Sequence, residues 1–192
     1  DYIEITDNDN LEFGTGDFSI IANIYLSSDS LSLSSATQAT IFSHGNADGA
    51  LNYHRLMVHD TGRLYYNNKI GNDTKRECQT AQGVIIGGQW ITVAIVSDRD
   101  NLSKLYLNGV EQALTTDIGP TEENDLTFTD EVYIGAADFG SGVANFFDGE
   151  ISSVKLYNTA LTSTEIKELY SGMSVPFKYK GANQTAMITG GN

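Results

Sequence analysis

The sequence predicts an all-β protein: an antiparallel β-sandwich with one short C-terminal helix. Three observations carry this. Apolar runs of strand length recur along the whole chain, clusters of Gly, Asn and Asp separate them, and helical periodicity occurs once, late. There is no alternation of strand and helix patterns, so a parallel sheet is not expected. Nineteen glycines against two prolines fit a chain that turns often.

Residues 18–26 (FSIIANIYL) open the series. Phe18, Ile20, Ala22, Ile24 and Leu26 share one face at a period of two. Residues 39–43 form a second strand. Residues 51–59 and 62–67 form a hairpin around Asp60-Thr61-Gly62. Residues 89–97 (QWITVAIVS) are nearly all apolar and predict a central strand buried on both faces, with Trp90 in the core. Residues 102–107 and 110–114 flank Asn108-Gly109, a pair that tolerates the positive φ a tight hairpin requires. Residues 131–136 and 149–157 complete the strands. The helix begins at a capping box, Thr162-Ser163-Thr164-Glu165, with Leu161 and Ile166 placed as a hydrophobic staple and Gly172 placed to end it. The pattern predicts a domain over 1–172, with 173–192 a linker or the start of a following module. The start at Asp1 and the Gly-Asn end give the chain the look of a piece cut from something longer.

Three segments in order carry a family resemblance. Phe13-Gly14-Thr15-Gly16-Asp17-Phe18-Ser19-Ile20 looks like the opening strand of the laminin-G-like, concanavalin A-like jelly rolls. Gln89-Trp90 through Asp98, followed by Lys104-Leu105-Tyr106-Leu107-Asn108-Gly109, is similar to that family's central strand and hairpin. Phe147-Asp148-Gly149-Glu150-Ile151 through Tyr157-Asn158, then Ala160-Leu161 and the capped helix, resembles its closing signature. The chain departs from the family where Asn23 replaces a frequent Trp. It also departs where Ser152 and Ser153 replace acidic residues that would serve a calcium ion. The resemblance implies a lectin-like scaffold that hosts many roles.

Charge narrows the partners. Eleven Lys and Arg against 25 Asp and Glu give a net charge of −14, which disfavours nucleic acid and anionic membrane surfaces. No apolar run reaches the length of a membrane-spanning helix, and no signal peptide is visible. Cys78 is the single cysteine, so an intrachain disulfide is excluded. Its polar surroundings at 74–80 predict a free surface thiol.

Catalytic patterns are weak. The relatives that cleave β-glucans carry a Glu-x-Asp-x-x-Glu strand, and no Glu here begins one. Glu122, Glu123 and Asp125 come nearest and read as a solvated loop. His44, His54 and His59 show no zinc spacing. Oxygen-rich loops, among them Asp7-Asn8-Asp9-Asn10, are a better match to calcium. Pairing Asn46 with Asp48 and Asp138 with Asp148 makes Asp48, Asp138 and Asp148 the candidate ligands of a structural calcium ion that would fix loops.

Sugar recognition needs aromatic faces beside planar polar groups. Asn52-Tyr53-His54-Arg55 supplies these types, with His44 nearby and Tyr65 and Asn67 on the next strand. If Leu56, Val58, Leu64 and Tyr66 face the core, Arg55 and Tyr65 share the outer face. The candidate carbohydrate site is therefore His44, Tyr53, His54, Arg55, Tyr65 and Asn67. Phe139, Phe146 and Phe147 lie near a glycine-rich loop as a second aromatic group, with Phe147 expected in the core.

The expected function is a non-catalytic carbohydrate-binding or adhesion module of a larger extracellular, cell-surface or virion protein. Its partner would be a glycan or polysaccharide. The competing readings are a structural or protein-binding module, as in a phage fibre, and a glycan-cleaving enzyme. The segment 177–182 (FKYKGA) looks like connectors of phage and bacterial surface proteins.

Overall fold

The computed structural model describes residues 1–27, 38–47, 52–71, 75–119 and 124–174. Fourteen strands and one α-helix follow in order: β1 Ile3–Ile5, β2 Phe18–Leu26, β3 Ala39–Gly45, β4 Tyr53–His59, β5 Arg63–Lys69, β6 Arg76–Thr80, β7 Trp90–Ser97, β8 Lys104–Leu107, β9 Val110–Glu111, β10 Leu114–Ile118, β11 Val132–Ile134, β12 Ala137–Asp138, β13 Val143–Ala144, β14 Gly149–Tyr157 and α1 Ser163–Ser174. A seven-stranded sheet runs β1-β11-β3-β4-β5-β6-β10. A five-stranded sheet runs β14-β2-β7-β8-β9, and β12-β13 form a ribbon. The ladders between these strands are antiparallel, as a jelly-roll sandwich requires.

The alternation in the sequence places the main core between the two large sheets. Phe18, Ile20, Ala22 and Ile24 from β2 meet Phe42, Leu56, Leu64 and Tyr66 from the opposite sheet, with Ile91, Val93 and Ile95 beside them. Strand β7 is central in its sheet, and its other face is covered too. There Ile21, Ala94, Val96 and Tyr106 pack against Ile166 of α1. The capping box forms as expected. The Thr162 Oγ1 accepts from the Glu165 N–H at 3.3 Å, and the Glu165 carboxylate accepts from the Thr162 N–H at 2.8 Å. At the β8–β9 turn Asn108 and Gly109 take φ of 49° and 77°. A Cβ at Gly109 would stand 3.3 Å from the Lys167 Cα, so this turn also seats the helix.

Several expectations are corrected. Trp90 is not core: it is 45% exposed on the outer face of the five-stranded sheet, its ring 5.8 Å from that of Tyr25. Trp90 lies out of phase with Ile91, Val93 and Ile95, which take the inner positions. Cys78 is no surface thiol. Residues 76–80 are strand β6, and Cys78 sits opposite Tyr66 on the inner face, fully buried. Gly172 does not end the helix, which continues to Ser174. The stretch 110–114 is divided: β9 pairs with β8, whereas Leu114 begins β10, which pairs with β6 in the other sheet.

Candidate functional site

Register across β3, β4, β5 and β6 decides which side chains meet. Phe42, Leu56, Tyr66 and Cys78 form one cross-strand row, and His44, His54 and Asn68 another. The first of these rows lies in the core, so its phase is the inner one. Ser43, Arg55, Asn67 and Glu77 form a row of the opposite phase. Thr40, Met57, Tyr65 and Gln79 form the next, and Gly45, Tyr53 and Lys69 the third. Four of the six expected carbohydrate residues therefore share the outer face: Tyr53, Arg55, Tyr65 and Asn67.

His44 and His54 do not join them. Both are fully buried on the inner face. His54 lies among the rings of Phe13, Phe18, Phe42 and Phe128 at 5.3–6.1 Å, and neither of its ring nitrogens has a hydrogen-bond partner. Burial holds its pKa well below the usual imidazole value, so it is neutral. The tetrapeptide 52–55 mixes faces because successive strand residues point to opposite sides.

On the outer face Arg55 is the centre. It is only 5% exposed. Its guanidinium carbon stands 4.9 Å from the Tyr53 ring centroid and 5.4 Å from that of Phe139. Nε donates to Asn67 Oδ1 at 3.3 Å, while the buried Nη1 has no partner. Burial lowers the Arg55 pKa, with Tyr53 and Tyr65 opposing, yet an arginine remains charged. A charged donor aimed into a ring-lined setting, with capacity left over, is what a carboxylate- or hydroxyl-bearing ligand needs.

Beside it Tyr65 donates to Glu77, and Lys75 closes the group. Lys75 Nζ is 2.6 Å from Glu77 and donates to the Tyr65 hydroxyl at 3.0 Å. Burial pushes the Tyr65 hydroxyl up to about 12, with the bond to Glu77 adding. Burial works against the Glu77 charge, but the bonds from Lys75 and Tyr65 outweigh it and lower its pKa. Lys75 and Glu77 were not singled out as site residues from the sequence, and Phe139 only as part of a second aromatic platform. Residues 74–80 read there as a polar, charged segment. Cys78 is the one apolar residue of β6, with polar Arg76 and Thr80 two positions away on either side, so no period-two pattern marks the strand. Phe139 was grouped with Phe146 and Phe147, but Phe147 is buried in the core and Phe146 lies against Tyr2.

Of the expected calcium residues, Asp138 and Asp148 are described, and Asp48 lies outside the described residues. Asp138 uses Oδ1 to accept from the Gly140 N–H at 2.9 Å, and Asp148 is exposed before β14. Among the described residues these two are not gathered with a third His, Cys or carboxylate ligand. One such set does converge: Asp7, Glu12 and His44.

Residues 1–167 match the Laminin_G_3 family model, described as the concanavalin A-like lectin/glucanases superfamily. No curated protein matches the chain by sequence. Among solved structures it is similar to the CBM40 carbohydrate-binding module of the Ruminococcus gnavus IT-sialidase. That likeness has 20% identity and a TM-score of 0.64, covering 88% of this chain and 96% of that one. The same module bound to α2,3-sialyllactose gives a TM-score of 0.60 at 20% identity and the same coverage. The botulinum neurotoxin serotype D binding domain gives 0.63 at 15% identity, covering 90% of this chain and 40% of that one. At these identities the likeness is one of fold. No helix among the described residues is long and apolar enough to cross a membrane.

Proposed function

The chain belongs to the concanavalin A-like lectin/glucanases superfamily, and on that premise we propose that it is a non-catalytic glycan-binding module acting at an extracellular, cell or virion surface. The glycan lies across the outer face of the seven-stranded sheet, on Tyr53, Arg55, Tyr65 and Asn67. The single observation that carries this reading is Arg55: a buried guanidinium between two aromatic rings with Nη1 unpartnered. A buried charge with an unused donor is costly to keep unless something completes it. An acidic sugar does so with its carboxylate. That a module of the same fold is described as bound to sialyllactose supports the choice of probe.

The test is calorimetric titration of the full chain with α2,3-sialyllactose and with lactose, beside a glycan array. Binding of an acidic glycan in preference to its neutral counterpart is expected. Tyr65→Ala should weaken it about tenfold, ~1.4 kcal/mol, because it removes the ring that frames Arg55 and that Lys75 and Glu77 hold in place. Silence across the array would overturn the glycan reading in favour of a protein-binding module. Release of cleaved sugar would overturn the non-catalytic one.

A further inference from the structure

We propose that Asp7, Glu12 and His44, with the Asp130 backbone carbonyl, form a site for a divalent transition-metal ion of the zinc class, away from the outer sheet face. Two carboxylates, one imidazole and one carbonyl converge there from three parts of the chain. Asp7 and Glu12 flank the 3-10 turn Asp9–Leu11, His44 closes β3 on its inner face, and Asp130 precedes β11.

The distances fit one ion. His44 Nε2 lies 3.4 Å from Glu12 Oε1, 3.0 Å from the Asp130 carbonyl oxygen and 3.9 Å from Asp7 Oδ1. Two donors each about 2.1 Å from a shared ion stand roughly 3.0–3.4 Å apart at angles between octahedral and tetrahedral. Asp7 is the outlier, and at 34% exposure its carboxylate has room to rotate inward.

The set is more than clustered acids. Glu12 is 11% exposed, and its Oε1 is fully buried without a hydrogen-bond partner. Its Oε2 is already held by the Phe128 N–H at 3.0 Å, which orients the carboxylate and leaves Oε1 aimed at the imidazole. A carbonyl can only accept, so His44 Nε2 carries the proton while it bonds Asp130. An incoming cation takes the Nε2 lone pair once the ring has switched tautomer, its one proton passing from Nε2 to Nδ1, which has no hydrogen-bond partner. A buried, unsatisfied carboxylate oxygen facing a fully buried histidine is expensive without such a cation.

The donor types choose the metal. Calcium takes six to eight oxygens, whereas imidazole with carboxylates suits zinc and its neighbours. The proposal therefore differs from the calcium expectation in both residues and ion. It also stands apart from the glycan reading, since no residue of the outer-face site is used.

The experiment is titration of the chelator-stripped full chain with Zn²⁺ and, separately, Ca²⁺ by calorimetry, with Co²⁺ as the visible-absorption probe. One zinc per chain is expected, with a higher melting midpoint and a moved His44 Nε2 signal in nitrogen-detected NMR. Asp7→Asn and Glu12→Gln should each weaken zinc about tenfold or more and remove the cobalt bands. Asp7→Asn alters a partly exposed side chain, so its metal-free melt serves as the folding control. Failure of the wild type to bind zinc, undiminished binding by both variants, or preference for calcium would each overturn the proposal.

Discussion

Arg99 and Arg55 are both almost entirely withdrawn from solvent, and they are treated in opposite ways. Arg99 sits where the segment after β7 meets the segment before β2. Its Nε, Nη1 and Nη2 donate to the carbonyls of Gly16, Asn124 and Gly14 at 3.0, 3.1 and 2.8 Å, and Asp17 accepts from its backbone N–H. The Phe18 ring lies 5.5 Å from its guanidinium carbon. Arg55 has the same kind of aromatic cover, side-chain hydrogen bonds to Asn67 and Tyr53, and an idle Nη1. The first arginine is a clamp that closes loops on itself. The second is held in place by rings rather than consumed by acceptors, which is how a fold keeps a donor for a partner.

Substitution separates the two. The largest effect is expected for Arg99→Met, which strands three carbonyls. Urea unfolding should show a loss of about 3 kcal/mol or more, with glycan binding preserved in whatever fraction stays folded. A loss below ~1 kcal/mol would mean that Arg99 is no clamp. Arg55→Met should do the reverse. Affinity for the acidic sugar falls tenfold or more, about 1.4 kcal/mol, while unfolding shifts by less than ~1.5 kcal/mol because the bonds to Asn67 and Tyr53 disappear along with a desolvated charge that was itself costly to bury. Equal destabilisation by the two variants would erase the contrast. The smallest effect belongs to the Lys75–Tyr65–Glu77 group beside Arg55. Glu77 has a folded pKa below the 4.5 of an unperturbed carboxyl. Its contribution is present above pH 4.5 and is lost as pH falls through the folded value. Glu77→Gln should flatten that acid limb by under ~1 kcal/mol, the surface-pair range, in melts taken from pH 6 to pH 3. An acid limb unchanged in the variant would show that Glu77 gains nothing from Lys75 and Tyr65, near which His59 and Arg55 are further titratable neighbours.

Legibility followed the same division between repeated and local signals. Strands with a full period-two pattern, such as β2, and turns with unusual backbone needs, such as Asn108-Gly109, were readable because each position states its own requirement. The phase of Leu56 and Val58 put Arg55 and Tyr65 outward correctly. His54 was lost by looking at neighbours in sequence: Tyr53 and Arg55 are one residue away on either side and on the other face of the sheet. β6 was missed because its one apolar inward residue, Cys78, is too small a signal among charged neighbours. The convergence of Glu12 and His44 joins positions 32 apart through the closing of the sandwich, and no local pattern announces it.

The pairing of β14 with β2 sets when this domain can fold. Residues 149–157 must return to a strand at 18–26, and the bond from Ser19 Oγ to the Thr159 carbonyl locks the same junction. A growing chain thus carries β2 with one edge unclosed until nearly all of the domain has left the ribosome. Such long closures are slow, and until they happen an apolar strand edge waits for any partner. Domains placed before or after this one in a longer polypeptide would be exposed to that edge, so their separation from it matters to the yield of the whole.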